Sequence, residues 1–137
     1  ITADYRDTSR NMLLRSLRLS NFSSELSRFV KPRRKPRKAA IREEWQNRDF
    51  QPFISDVEEV STIIQDIEKD RKGIPILIKQ YLKLGGKILA FNLDTDFSDV
   101  VDGLILIDLR KTEPRARARY MGDEADRLFR EHHQLSS

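Results

Sequence analysis

A chain of 137 residues has the length of one ordinary domain, enough for one hydrophobic core and not for two. It contains no cysteine, which excludes a disulfide framework, a thiolate nucleophile and a cysteine-based zinc site. The net charge of +4 is local: the run KPRRKPRK at 31–38 holds six cations and no anion, and the remainder of the chain is net acidic.

No apolar run approaches the ~20 residues that span a bilayer; the longest, at 74–78 and 103–107, are broken by Lys79 and Asp108. Asp4, Arg6 and Asp7 stand where a signal peptide needs apolar residues. The chain opens on Ile1 in a register that reads as mid-domain, so a fragment or excised module of a cytoplasmic protein is expected.

In chain order, Thr8 or Ser9 is expected to cap a first helix striped by Met12, Leu13, Leu14, Leu17 and Leu19. Ser20-Asn21 breaks it, and Ser23 or Ser24 caps a short second helix with Leu26, Phe29 and Val30. Residues 1–30 thus read as a helical appendage, the tail of an upstream domain. Pro32 and Pro36 bracket the basic run and disfavour helix there, so 31–47 reads as an extended, solvated linker. Trp45, Phe50 and Phe53 follow as a short anchor.

Residues 48–137 carry the main α+β module. Ser55, with Glu58 in capping-box position, opens a helix faced by Val57, Val60, Ile63, Ile64 and Ile67, and Gly73 is expected to stop it. Pro75 starts the next helix, with Ile76, Leu77, Tyr81, Leu82 and Leu84 expected inward and Lys79, Gln80 and Lys83 outward. Gly85-Gly86 ends it. Residues 87–93 read as a strand and 103–109 (GLILIDL) as a second, more buried strand. The connection DTDFSDVVD has room for one helical turn. Pro114 begins a final helical region containing Tyr120, Met121, Leu128 and Phe129, interrupted at Gly122.

Chemistry is sparse along this path. Lys31, Arg33, Arg34, Lys35, Arg37 and Lys38 form a polycation that can be a solvated linker, a contact for anionic lipid headgroups, or a nucleic-acid contact. The third ranks last, because no aromatic residue interleaves the run and no nucleic-acid-binding signature surrounds it. Asp94 and Asp96 have the spacing of a carboxylate pair for a hard cation, but acids at the end of a strand are favoured as turn formers, and no metal site is expected. Gly85-Gly86 follows a helix and precedes a strand, the reverse of a phosphate-cradling loop. His132-His133 reads as a frayed tail. No nucleophile elbow, His-Glu-x-x-His or dinucleotide fingerprint is present.

The ordered set Pro75, Leu77, Lys79, Tyr81, Leu82, Leu84, Gly85, then Asp94, Asp96, Phe97, then Asp102, Leu104, Leu106, Asp108, Leu109 resembles the C-terminal end of the hemolysin-like acyltransferases. These are bacterial GNAT-fold enzymes that include ornithine-lipid N-acyltransferases. The resemblance implies a small GNAT-like sheet covered by amphipathic helices. It also implies a role in phospholipid metabolism at the inner-membrane surface, and an upstream glycerolipid acyltransferase domain as partner. The family's acyl-carrier loop, Arg/Gln-x-x-Gly-x-Gly/Ala, and the glycerolipid enzymes' His-x4-Asp motif are both missing. Acyl-CoA or acyl carrier protein is therefore expected as cofactor of a fuller enzyme and not of this chain, and catalytic residues are not assigned. The resemblance carries over Lys79, Tyr81, Asp94, Asp96 and Phe97 as acceptor-pocket residues, with fold maintenance as the alternative role. An interaction or regulatory module is the other function class.

Overall fold

Six helices and a two-stranded antiparallel sheet make up the described residues, 1, 4–35 and 56–135, of the computed structural model. The class is α+β. Arg37, Lys38, the anchor residues Trp45, Phe50 and Phe53, and the cap Ser55 lie outside the described residues.

Helix α1, Asp7–Ser20, has no side-chain cap; Thr8 and Ser9, expected at its boundary, lie inside it, and Ser9 is buried. Leu13 and Leu17, one turn apart, are fully buried in a cluster with Val60, Ile64, Ile74, Ile88, Phe91 and Val101. The helix read as an appendage is therefore a wall of the core. The physical reason is its apolar stripe: full burial of each leucine contributes about 1.5–3 kcal/mol, which an isolated tail would forgo. Leu19, counted in the same stripe, is exposed. Helix α2, Ser24–Ser27, begins as expected at Ser23, whose hydroxyl accepts from the Leu26 N–H.

Helix α3, Val57–Ile67, is capped by Asp56, whose Oδ1 accepts the Glu58 N–H at 3.0 Å. It buries Val60 and Ile64 against α1. It ends at Ile67, six residues before the glycine expected to stop it. Glu68 departs from helical geometry, and its carboxylate instead accepts the Arg6 N–H, 2.9 Å away, just before α1. Gly73 has a different task. The Tyr5 hydroxyl donates to its carbonyl at 2.7 Å, the Ile74 N–H donates to Ser61 Oγ at 3.1 Å, and a Cβ on Gly73 would sit 2.3 Å from Ser61 Oγ. The glycine lets the loop lie against α3.

Helix α4, Ile76–Lys83, meets the expectation in part: Leu82 packs on the core and Leu84, at its C-cap, is buried, as expected, but the inward face is centred differently. Ile78 and Leu82 continue the spacing from buried Ile74 and pack on the core, whereas Ile76 is 74% and Leu77 66% exposed, and Tyr81 is also exposed. The segment IPILIKQYLKL carries two overlapping apolar registers, and the anchored Ile74 selects between them. The end is a Schellman motif: Gly85, at φ 81°, donates to the Leu82 carbonyl and Gly86 to the Tyr81 carbonyl, both at 2.9 Å. A Cβ on Gly86 would lie 2.6 Å from the Tyr81 carbonyl oxygen and 2.9 Å from Ile105 Cγ2. Gly86→Ala is accordingly expected to destabilise by about 1–3 kcal/mol in urea unfolding. Gly103→Ala, where the nearest contact is an ordinary 3.6 Å to the Phe91 ring, is expected to be close to neutral.

Strand β1, Lys87–Asp94, pairs with β2, Val100–Leu106, from Lys87↔Leu106 to Asp94↔Val100, with an irregularity between Ile88 and Ala90. The second strand thus begins and ends three residues before its expected limits, and the joining segment 95–99 is a turn. It is also the more exposed strand, not the more buried one: Val101 is buried, but Asp102, Gly103, Leu104 and Leu106 are exposed. Hydrophobic sequence alone did not bury it, because among the described residues its outer face has nothing packed over it to match what covers Ile88 and Phe91.

Helices α5, Pro114–Met121, and α6, Asp123–His133, form a pair hinged at Gly122, φ 84°. Glu113 caps α5 through bonds from the Arg115 and Ala116 N–H groups. Buried Arg117 joins buried Asp126 across the pair, and Arg130 bonds the second oxygen of Asp126 at 2.9 Å. Tyr120 and Leu128, named among the apolar residues of this region, are exposed. Thr112 connects this pair to the rest, its hydroxyl donating to the Leu84 carbonyl at 2.7 Å.

Candidate functional site

The five acceptor-pocket residues occupy three separate places. Lys79 reaches toward the start of α3, where its ammonium lies 2.7 Å from Glu58 Oε2. Together with Ser20, Asn21, Asp56 and Leu82 it lines an open cleft of mixed polarity, about 340 Å³.

Tyr81, two residues on and so roughly 200° around the helix, lines a different hollow. This one is apolar, about 150 Å³, and bounded by Ile78, Phe91, Val101, Gly103 and Ile105. Gly103 matters here because a side chain at that register would stand over the hollow beside the Phe91 ring.

Asp94, Asp96 and Phe97 belong to the tip of the β1–β2 hairpin. Asp94 Oδ1 accepts the N–H groups of Asp96 and Phe97 at 3.0 and 3.2 Å, so this carboxylate closes the turn. Asp96 is exposed and Phe97 is 75% exposed. Ser98 and Asp99 follow with φ 56° each, a tight reversal into β2.

The basic run meets this tip. Val30–Lys35 is not wholly solvated as a linker should be, because Arg34 is fixed to β1: its N–H donates to Asn92 Oδ1 at 2.8 Å, and its carbonyl accepts the Leu93 N–H at 2.9 Å. Its guanidinium bonds Thr95 Oγ1. Lys31, Arg33 and Lys35 remain exposed around that anchor. Nothing in the composition of the run signals this docking. The partner residues, Asn92 and Thr95, are ordinary strand-end residues some sixty positions away.

No protein-family model, curated protein or solved structure matches this chain.

Asp108, at the end of the β2 region, is held down to about 2 by the hydrogen bond from Arg110, whose guanidinium donates to both its oxygens. Among the described residues, no three His, Asp or Glu side chains cluster as metal ligands do. Lys79 faces Glu58 at the cleft, whereas Asp94 and Asp96 lie at the hairpin tip, so the expected acceptor-pocket lysine and carboxylates do not share one site. What the arrangement offers is surface: an apolar hollow at Tyr81 and Gly103, exposed Ile76 and Leu77 on α4, and a basic rim at the hairpin tip. Among the described residues no helix is long and apolar enough to cross a membrane.

Proposed function

We propose that this chain is the GNAT-like, C-terminal module of a bacterial lipid-modifying acyltransferase, contributing scaffold and acceptor-side surface and performing no acyl transfer alone. The observation that supports this reading best is the ordered unit α4, double-glycine turn, β1, Asp-x-Asp-Phe turn, β2, which folds as one continuous element around the Tyr81 hollow. In it, Tyr81 and the residues around Gly103 are pocket wall, Asp94 maintains the hairpin tip, and Lys79 braces α4 on α3 through Glu58. The acyl donor, acyl-CoA or acyl carrier protein, is held by an upstream domain. The module works in the cytoplasm at the inner-membrane face, where Lys31, Arg33 and Lys35, continuing in sequence to Arg37 and Lys38, lie against anionic headgroups at about 1 kcal/mol per basic residue.

Three measurements test this. Removing residues 74–109 from the chromosomal gene is expected to deplete one acylated lipid class in a mass-spectrometric profile; an unchanged profile overturns the reading. The isolated chain is expected to transfer no acyl group from acyl-CoA to lysolipid, and turnover would overturn its non-catalytic status. It is expected to sediment with anionic and not neutral vesicles, with binding lost on Lys31, Arg33 and Lys35→Glu; equal binding to both vesicle types, or none, removes the membrane role. An interaction module of another kind is favoured by the outward apolar residues Ile76 and Leu77; an unchanged lipid profile would promote it.

A further inference from the structure

Two phenylalanines among the described residues stand almost clear of the fold, Phe29 at 74% and Phe97 at 75% exposure. Their electrostatic settings are opposite. Phe97 follows Asp94 and Asp96 at the hairpin tip and precedes Asp99. Phe29 lies in a stretch with no acid between Glu25 and Lys35, and Arg28, Lys31, Arg33 and Lys35 are all exposed on either side of it in sequence.

The backbone holds Phe29 in that position. The segment carrying it is fastened to β1 at both ends: the Ser23 N–H donates to the Ile88 carbonyl at 2.9 Å, and the Arg34 carbonyl accepts the Leu93 N–H at 2.9 Å. Ser23 to Arg34 is a longer stretch than Ile88 to Leu93, and α2 with the turn after it takes up the difference. That turn is tight, since the Phe29 N–H donates to the Leu26 carbonyl and the Val30 N–H to the Ser27 carbonyl, both at 3.1 Å. The Arg28 guanidinium lies over the Phe29 ring, 4.7 Å from its centroid.

A ring fixed in water forgoes the free energy of burial, while the cations beside it oppose a purely apolar cover. The matching surface is apolar beneath and anionic at its rim. One ring with four flexible cations falls far short of the roughly 1,200 Å² of a stable protein interface. Nor is one ring, covered on one face by Arg28, the row of stacking platforms that single-stranded nucleic acid takes. An anionic lipid surface needs neither.

We infer that Phe29 is a membrane-insertion residue: its ring enters the boundary between headgroups and acyl chains of an anionic lipid surface while Arg28, Lys31, Arg33 and Lys35 meet the phosphates. Apolar insertion and polybasic attraction are each weak alone and reinforce one another. Phe97, flanked by carboxylates that anionic headgroups repel, stays in water. The inference rests on the membrane-surface reading of the basic run and adds to it the group that penetrates and the end of the molecule that faces the lipid.

The chain has no cysteine, so Phe29→Cys and Phe97→Cys can each carry a single nitroxide spin label. On vesicles of phosphatidylglycerol with phosphatidylcholine, the label at 29 is expected to gain collisions with oxygen and lose them with a water-soluble nickel chelate, and the label at 97 to keep its solution values. Phe29→Ala is expected to weaken partition onto these vesicles about tenfold, Phe29→Leu much less, and Phe97→Ala to leave it unchanged. Both sites are exposed, so all variants are expected to keep the parent's urea midpoint. Parent binding with the label at 29 still open to nickel, equal burial of both labels, or no loss on Phe29→Ala overturns the insertion and leaves the electrostatic contact standing. Absence of parent binding to anionic vesicles overturns both. Immobilisation of the label at 29 by single-stranded DNA and not by vesicles overturns the inference in favour of a nucleic-acid contact.

Discussion

Leu13→Ala is expected to destabilise the protein by about 2–5 kcal/mol, the range for emptying a fully buried leucine site, read as a lower urea midpoint with little change in slope. Leu13 has no exposed surface and sits where α1 meets Val60 and Ile64 of α3. Leu19→Ala, on the same helix but exposed, is expected to fall within about 0.5 kcal/mol of the parent. The contrast tests whether α1 is core or appendage. Were it an appendage, both substitutions would be silent and removal of residues 1–30 would leave the unfolding transition unchanged.

Asp126→Asn is expected to lower the melting temperature by roughly 10 °C or more, because it strips the counterion from buried Arg117 while leaving the guanidinium in place. Replacing both partners, Arg117→Met with Asp126→Leu, is expected to recover most of that loss, since two well-packed apolar side chains leave no buried orphan charge, and Arg130, which also loses its bond to Asp126, is partly exposed to water. Asp123→Asn, exposed at the start of α6, serves as the near-silent control. The same pair sets an acid limit. Arg117 first, then Arg130, holds the Asp126 carboxyl below its ordinary 3.8. A carboxyl depressed on folding stabilises fully above that ordinary value and ceases to do so as the pH falls through its lower folded value. The α5–α6 pair is therefore expected to loosen at the acid end before the core does, seen as lost amide protection in α6. Uniform loss across the chain would count against the pair being a separate clasp.

Much of the α4–β2 unit was legible in the sequence, because punctuation there is strong. Pro75, Gly85 and Gly86 fixed the limits of α4, and the apolar alternation fixed β1 to within one residue. The facing of α4 was legible only in part: Leu82 and Leu84 lie inward as expected, but Ile76 and Leu77 satisfy a helical stripe as well as Ile78 does, and only the anchored Ile74 distinguishes them. The limits of β2 failed for a related reason: GLILIDL is hydrophobic enough for an interior strand, and its exposure depends on how little, among the described residues, covers its outer side. The place of α1 in the core was hidden by distance, as its partners Val60, Ile64 and Ile88 lie beyond the basic run.

For the candidate site, local chemistry was readable and assembly was not. That Asp94 would form a turn followed from residue type, and its bonds to Asp96 and Phe97 agree. That Lys79 and Tyr81 would part company, one to Glu58 and one to an apolar hollow, needed the helix orientation that the pattern left ambiguous. Arg34 is the clearest case of a role invisible to composition, since the run holds five other cations, two of them also arginines.

The bonds linking Tyr5 to Gly73, Arg6 to Glu68 and Asn21 to Ile88 have a kinetic meaning. Each joins the first helical segment to residues more than sixty positions away, whereas the hairpin of β1 and β2 closes locally. Loop-closure entropy opposes the distant contacts until several can form together. The hairpin with α4 is thus expected to form early, as the locally encoded part of the fold, and the docking of α1 to come late, which folding kinetics of Leu13→Ala would check as faster unfolding with little change in the folding rate.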